Sequence, residues 1–117
     1  MKYYITSIYE SQHQTIEMDA TSWLNAIYLF YKSHGMKYKV VYAKPLDSQI
    51  NIVGKALYII KSKFDDGSIH KCSIHADSLF QSIYDFYCSH GFRYEIVDCE
   101  ELCISNTRSN NTVFSKD

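Results

Sequence analysis

With one proline and four glycines in 117 residues, the chain has too little of either for a proline- or glycine-rich linker array. No segment approaches the roughly 20 consecutive apolar residues of a membrane span. The opening Met1-Lys2-Tyr3-Tyr4-Ile5-Thr6-Ser7 lacks the uninterrupted apolar run of a signal peptide, which predicts a cytoplasmic protein with no membrane partner. An excess of either charge is also missing, the formal net charge being −1. That balance argues against an acidic DNA mimic and against a surface that is everywhere a phosphate-binding field. The charge is nevertheless uneven: residues 1–55 carry six basic and four acidic side chains, a balance of +2, whereas residues 56–117 carry six and nine, a balance of −3.

Signatures of chemistry are equally scarce. The four cysteines include no CxxC, the histidines no HxxxH, and the only close cysteine pair is Cys99 and Cys103. Cys72, Cys88 and Cys99 stand where the first half of the chain has Ile16, Lys32 and Ala43, a pattern of scattered substitution that predicts free thiols. There is no Gly-rich phosphate loop, no GxSxG elbow and no carboxylate pair in a catalytic motif. The expectation is a protein that is not an enzyme, with no cofactor, no metal and no catalytic residues.

What the sequence has in quantity is aromatic side chains, 18 of them, eleven being tyrosine, and an internal repeat. Offset by 56 positions, residues 20–41 align with 76–97 and match at eleven of 22 places, against the one or two roughly expected from composition. The pairs include Tyr28/Tyr84, Tyr31/Tyr87, His34/His90, Gly35/Gly91 and Val41/Val97. With the offset reduced by one, Tyr3-Tyr4-Ile5-Thr6-Ser7 falls on Tyr58-Ile59-Ile60-Lys61-Ser62. Duplication predicts a single domain over 1–117, built from repeats at 2–43 and 56–99. A linker at 44–55 joins them, where Ile50, Ile52 and Val53 add a short edge strand, and a polar tail follows at 105–117, from which Val113 and Phe114 can dock.

Each repeat opens with two alternating β-branched and aromatic segments around a turn, Ser11-Gln12-His13 in the first and Asp65-Asp66-Gly67-Ser68 in the second. A helix follows, capped by Thr21 or Ser22 and by Asp77 or Ser78, with Gln81 placed for a capping box. Trp23, Leu24, Ile27, Phe30 and Tyr31, matched by Leu79, Phe80, Ile83, Phe86 and Tyr87, form the buried stripe. Gly35 and Gly91 end the helices in a left-handed cap. The last strand places Met36, Tyr38, Val40 and Tyr42 on one face, as do Phe92, Tyr94 and Ile96 in the second repeat. Running parallel to the strand before the helix, it pairs with the first hairpin strand in the order 2-1-3. The predicted fold is α+β, a tandem ββαβ duplication with pseudo-two-fold symmetry. Its helices pack on one face of a mainly antiparallel sheet, either six-stranded or built as two packed sheets.

Subtraction then assigns the uncovered side of the sheet. Lys37, Lys39, Lys61, Lys63, Lys71 and Arg93 face out, interleaved with Tyr4, Ile8, Glu17, Asp19, His75 and Glu95. Such a face is either an ordinary solvated surface or a binding surface for protein or nucleic-acid backbone. Tyr4, Lys37, Lys39, Lys61, Lys63 and Arg93 are the candidate partner-binding residues. A homodimer through the same face is an alternative use. The twice-occurring Ser-His-Gly, at 33–35 and 89–91, invites catalysis or metal binding, but a histidine in the last helical turn is accounted for by the helix dipole and free carbonyls. A His-dependent or metal-dependent enzyme requires His34 and His90 to converge with cysteines or carboxylates in one pocket.

The second repeat reads Ala56-Leu57-Tyr58-Ile59-Ile60-Lys61, then Ile74-His75-Ala76-Asp77-Ser78-Leu79, then His90-Gly91 before Arg93 and Ile96. In this it resembles small phage-encoded hairpin-helix-strand proteins, including one of the type I-F anti-CRISPR proteins that bind the surveillance complex. The resemblance covers residues 56–97 and, more faintly, 3–41, and two copies in one chain depart from the single-module pattern. It implies a non-enzymatic inhibitor that occupies the surface of a host protein or protein–RNA defence complex.

Overall fold

Strand, strand, helix, strand is the order of elements, and it occurs twice. In the computed structural model, which describes residues 1–46 and 53–102, the elements are β1 (Lys2–Tyr9), β2 (Gln12–Asp19), α1 (Trp23–His34) and β3 (Lys39–Lys44), then β4 (Val53–Phe64), β5 (Ile69–Ser78), α2 (Leu79–His90) and β6 (Tyr94–Leu102). The strands form two separate three-stranded sheets, ordered β2-β1-β3 and β5-β4-β6. Both partners of each central strand run antiparallel to it, so β3 shares the direction of β2, and β6 that of β5. Strands thus occupy both ends of the expected linker, through Lys44 and from Val53. Ile50, Ile52 and the tail at 105–117, with Val113 and Phe114, lie outside the described residues.

The first hairpin differs from the sequence expectation. Tyr9 pairs with Gln12, so the loop is Glu10-Ser11 alone, and Gln12 and His13 belong to β2. Both loop residues have positive φ, 48° and 67°. A two-residue hairpin needs that conformation to match strand twist, although neither side chain favours it. The second hairpin turns where expected, with Gly67 at φ 88° and its N–H donating to the Phe64 carbonyl.

Ser22 and Ser78 are the helix N-caps, accepting from the Asn25 and Gln81 amides at 3.0 and 3.1 Å. Only the first helix completes a reciprocal cap: the Thr21 amide donates to Asn25 Oδ1. Gln81 instead donates to Asp85 one turn on. Gly35 and Gly91 close the helices, their N–H groups donating to the Tyr31 and Tyr87 carbonyls. Their φ values are positive, 93° and 79°, but ψ lies at 170° and −171°, an extended conformation essentially confined to glycine and distinct from the left-handed helical cap expected.

The helical stripes are buried as predicted, and they meet Tyr3, Ile5 and Ser7 of β1 and Tyr58, Ile60 and Ser62 of β4 at the same spacing. One assignment is reversed. Val40 is buried, but Tyr42 is 42% exposed and Ala43 takes the inward position. The register explains it: Ser7 pairs with Val40 and Thr6 with Tyr42, leaving Val41 as an extra residue in a β-bulge. A bulge shifts the side-chain alternation by one. The second repeat has its bulge at the matched place, Val97, so that Ile96 and then Cys99 point inward.

The repeats interlock. α1 packs on its own three strands and on β6, while α2 packs on its own three strands and on β3. Tyr31 and Tyr87 meet at the centre with ring centroids 6.0 Å apart, and Trp23 meets Phe80 edge-on. A module of about 45 residues buries too little surface to be stable alone, and this mutual packing supplies the shared core.

Candidate functional site

Alternation along β1 turns Tyr4 away from the core, leaving it 41% exposed beside Glu17 on one neighbouring strand and Lys44 on the other. The bulge in β3 brings Tyr42 to the same side, opposite Thr6, making it a diagonal neighbour of Tyr4. Sequence alternation had assigned Tyr42 to the core; only the paired bulge register identifies it as part of this surface. Thr6 and Thr15 are joined side chain to side chain at 2.8 Å across the same face.

The candidate residues do not form one patch: Lys39 shares the first sheet with Tyr4, whereas Lys61 and Lys63 lie on the second, and the two sheets have separate outer faces. Lys39 lies opposite Ile8, its ammonium 5.6 Å from the Tyr84 ring of α2. Lys37 precedes β3 and sits over the rings of Tyr9 and Tyr38 at 5.3 and 5.6 Å. Lys61 and Lys63 are on the second sheet, where Lys61 stands between Lys71 and Asp98, and Lys63 between Ile69 and Glu95. Arg93 donates to Asp65 at 2.9 Å and lies 4.7 Å from the centre of the Phe64 ring. Lys37 and Arg93, 56 residues apart in sequence, thus play the same part, each a cation held over an aromatic ring at a hairpin end.

His34 and His90 are packed alike. Each ring stacks on the phenylalanine one turn earlier, at 4.5 Å on Phe30 and 4.2 Å on Phe86, and each Nδ1 lies within hydrogen-bond range of that residue's carbonyl. The two do not converge. His90 instead borders a half-open cavity of about 180 Å³ with His70, Cys72 and Tyr94, above Ser62 and Phe86. Lys71 also lines it, from an outward register position of β5 opposite Lys61. Burial pushes the Cys72 thiol pKa up, and that of Cys99 to about 12, so both are neutral thiols at neutral pH. Cys72 and Cys99 flank Ile60 on opposite neighbouring strands, while Cys103 lies outside the described residues. Among the described residues no group of three or more His, Cys, Asp or Glu is placed to hold a metal ion. No described helix is long and apolar enough to cross a membrane.

Comparison with known proteins yields no match, whether to a family model, a curated protein or a solved structure.

Proposed function

We propose that this protein is a non-enzymatic, cytoplasmic binding factor that acts by occupying the surface of a host protein or protein–RNA defence complex, as its resemblance to anti-CRISPR proteins implies. The observation that carries this reading is the outer face of the first sheet. There two tyrosines, Tyr4 and Tyr42, are diagonal neighbours, about two-fifths exposed, with Lys44 and Glu17 alongside. Tyrosine combines apolar area with a hydroxyl at small conformational cost, which suits it to anchor a protein interface. The second sheet supplies a separate surface of different charge, so two unlike patches on repeats that share one core support binding at two points.

Nucleic-acid binding through the same residues is the competing reading. In-register acids weigh against it, since Asp98 and Glu95 stand opposite Lys61 and Lys63, and Asp65 pairs with Arg93. Phosphate recognition is favoured by basic groups free of such neighbours.

The test is capture from nuclease-treated lysate of a bacterium carrying a type I-F defence system. The wild-type chain is compared with Tyr4→Ala/Tyr42→Ala and with Lys61→Glu/Lys63→Glu. The expected result is a nuclease-resistant surveillance complex retained by wild type and lost in the tyrosine variant, with the thermal melt unchanged. Recovery of nucleic acid alone, or equal retention by every variant, would overturn the proposal.

A further inference from the structure

The cavity beside α2 has a feature that packing does not explain. Ser62 is 2% exposed, yet its side chain faces this cavity and has no hydrogen-bond partner among the described residues. Its hydroxyl opens onto the half-open cavity, where a ligand can supply the hydrogen bond that the protein does not.

The hydrogen bonds of the two histidines define what such a ligand must offer. The Phe86 carbonyl only accepts, and Ser89 Oγ, 2.8 Å from the same nitrogen, turns its proton to the Asp85 and Phe86 carbonyls, so His90 Nδ1 carries the proton between them. Ser68 Oγ gives its one proton to the Asp66 carboxylate and therefore accepts from His70 Nε2. In the neutral form of each ring the remaining nitrogen, His90 Nε2 or His70 Nδ1, is then an acceptor. The α2 C-terminus adds the negative end of a helix dipole, and Phe86 and Tyr94 add aromatic surface. Acceptors, ring faces and a negative dipole end together favour a cation that bears N–H donors, against the opposing charge of Lys71, which reaches the lining from an outward register position of β5. The volume, about 180 Å³, is close to the roughly 150 Å³ that accommodates one benzene ring, so the guest is a single small group.

The first repeat is an internal contrast. Gln14 and Ile16 replace His70 and Cys72 there, and Ser7, the counterpart of Ser62, is sealed off from solvent. Both repeats nevertheless hold one of their own cations over an aromatic ring at this end, Lys37 over Tyr9 and Arg93 over Phe64.

We infer that the cavity between Ser62, His70, His90 and Tyr94 binds a small alkylammonium or alkylguanidinium group, from a free amine or from a basic side chain of a protein. This inference does not depend on the identity of any defence complex.

Ethylguanidinium, the tripeptide Gly-Arg-Gly, acetate and zinc are titrated separately against the full chain, with the imidazole resonances followed by NMR. Saturable shifts at His70 and His90, with His34 unmoved, are expected for ethylguanidinium. A parallel response to the tripeptide would assign the natural guest to a protein side chain, and its absence to a free amine. Ser62→Ala and, independently, His70→Gln should each weaken binding by about ten-fold with the fold intact. Two fold-preserving variants guard against one that fails to fold. Linear, unsaturable shifts, equal binding in both variants, or saturation by acetate or zinc in place of the cation would overturn the assignment.

Discussion

The Tyr28 hydroxyl donates to the Phe92 carbonyl at 2.7 Å, crossing from the first repeat to the second, and Tyr84 returns the bond to the Met36 carbonyl at the same distance. Each repeat therefore satisfies a backbone group of the other. Removing one hydroxyl leaves a partly buried carbonyl unpaired, so Tyr28→Phe and Tyr84→Phe should each destabilise by about 1–2 kcal/mol. Urea unfolding followed by Trp23 fluorescence and by far-UV circular dichroism should still give one coincident transition, because the packing at the repeat boundary is shared. Two separated transitions in wild type would mean that the repeats fold independently.

Alkaline instability follows from a second pair of tyrosines. Tyr31 and Tyr87 accept the buried Val40 and Ile96 amides at 2.8 and 3.0 Å, and burial holds both hydroxyl pKa values far above the usual range, the accepted N–H groups opposing only part of that shift. The unfolded chain ionises its tyrosines near pH 10, while the folded chain resists. Stability from this source is thus complete below about pH 10 and lost as pH rises toward the folded-state values. Tyrosinate absorbance should show these rings ionising together with the loss of structure. Normal titration of every tyrosine in the folded protein would contradict this account.

Helix closure depends on glycine for a conformational reason alone. No atom lies within 4 Å of a Cβ built on Gly35 or Gly91, yet both have positive φ with extended ψ. Gly91→Ala should therefore lower stability by roughly 1–3 kcal/mol through backbone strain. Thermal melts of Gly35→Ala and Gly91→Ala should fall by similar amounts, and an unchanged melt would place the strain elsewhere.

Ser7 offers a prediction of the opposite sign. Its hydroxyl is buried and has no hydrogen-bond partner among the described residues. Ser7→Ala removes the unpaired group and should stabilise the protein by about 1 kcal/mol, measured as a raised urea midpoint at constant slope. A loss of stability would show that the hydroxyl has a partner.

The hairpin–helix–strand order, the duplication, the buried helical stripes and the cap positions were legible in the sequence, because each follows from local periodicity or from residues that suit a cap or turn. The 2-1-3 order was legible too, since a crossover leaves few alternatives. The Glu10-Ser11 turn was not, as strand pairing imposes positive φ on residues that do not announce it. The exposure of Tyr42 was equally hidden, because a bulge is decided by the register against β1 and one extra residue reverses every later side chain.

Local patterning, therefore, determined two copies of one module. Only the tertiary structure decided that these would keep separate sheets, exchange helix contacts with β3 and β6, and divide the candidate basic residues between two outer faces. The same packing drew His70, Cys72 and His90 around one buried serine. These relations join residues distant in the chain, and they depend on how two apolar stripes bury each other, which no local period encodes.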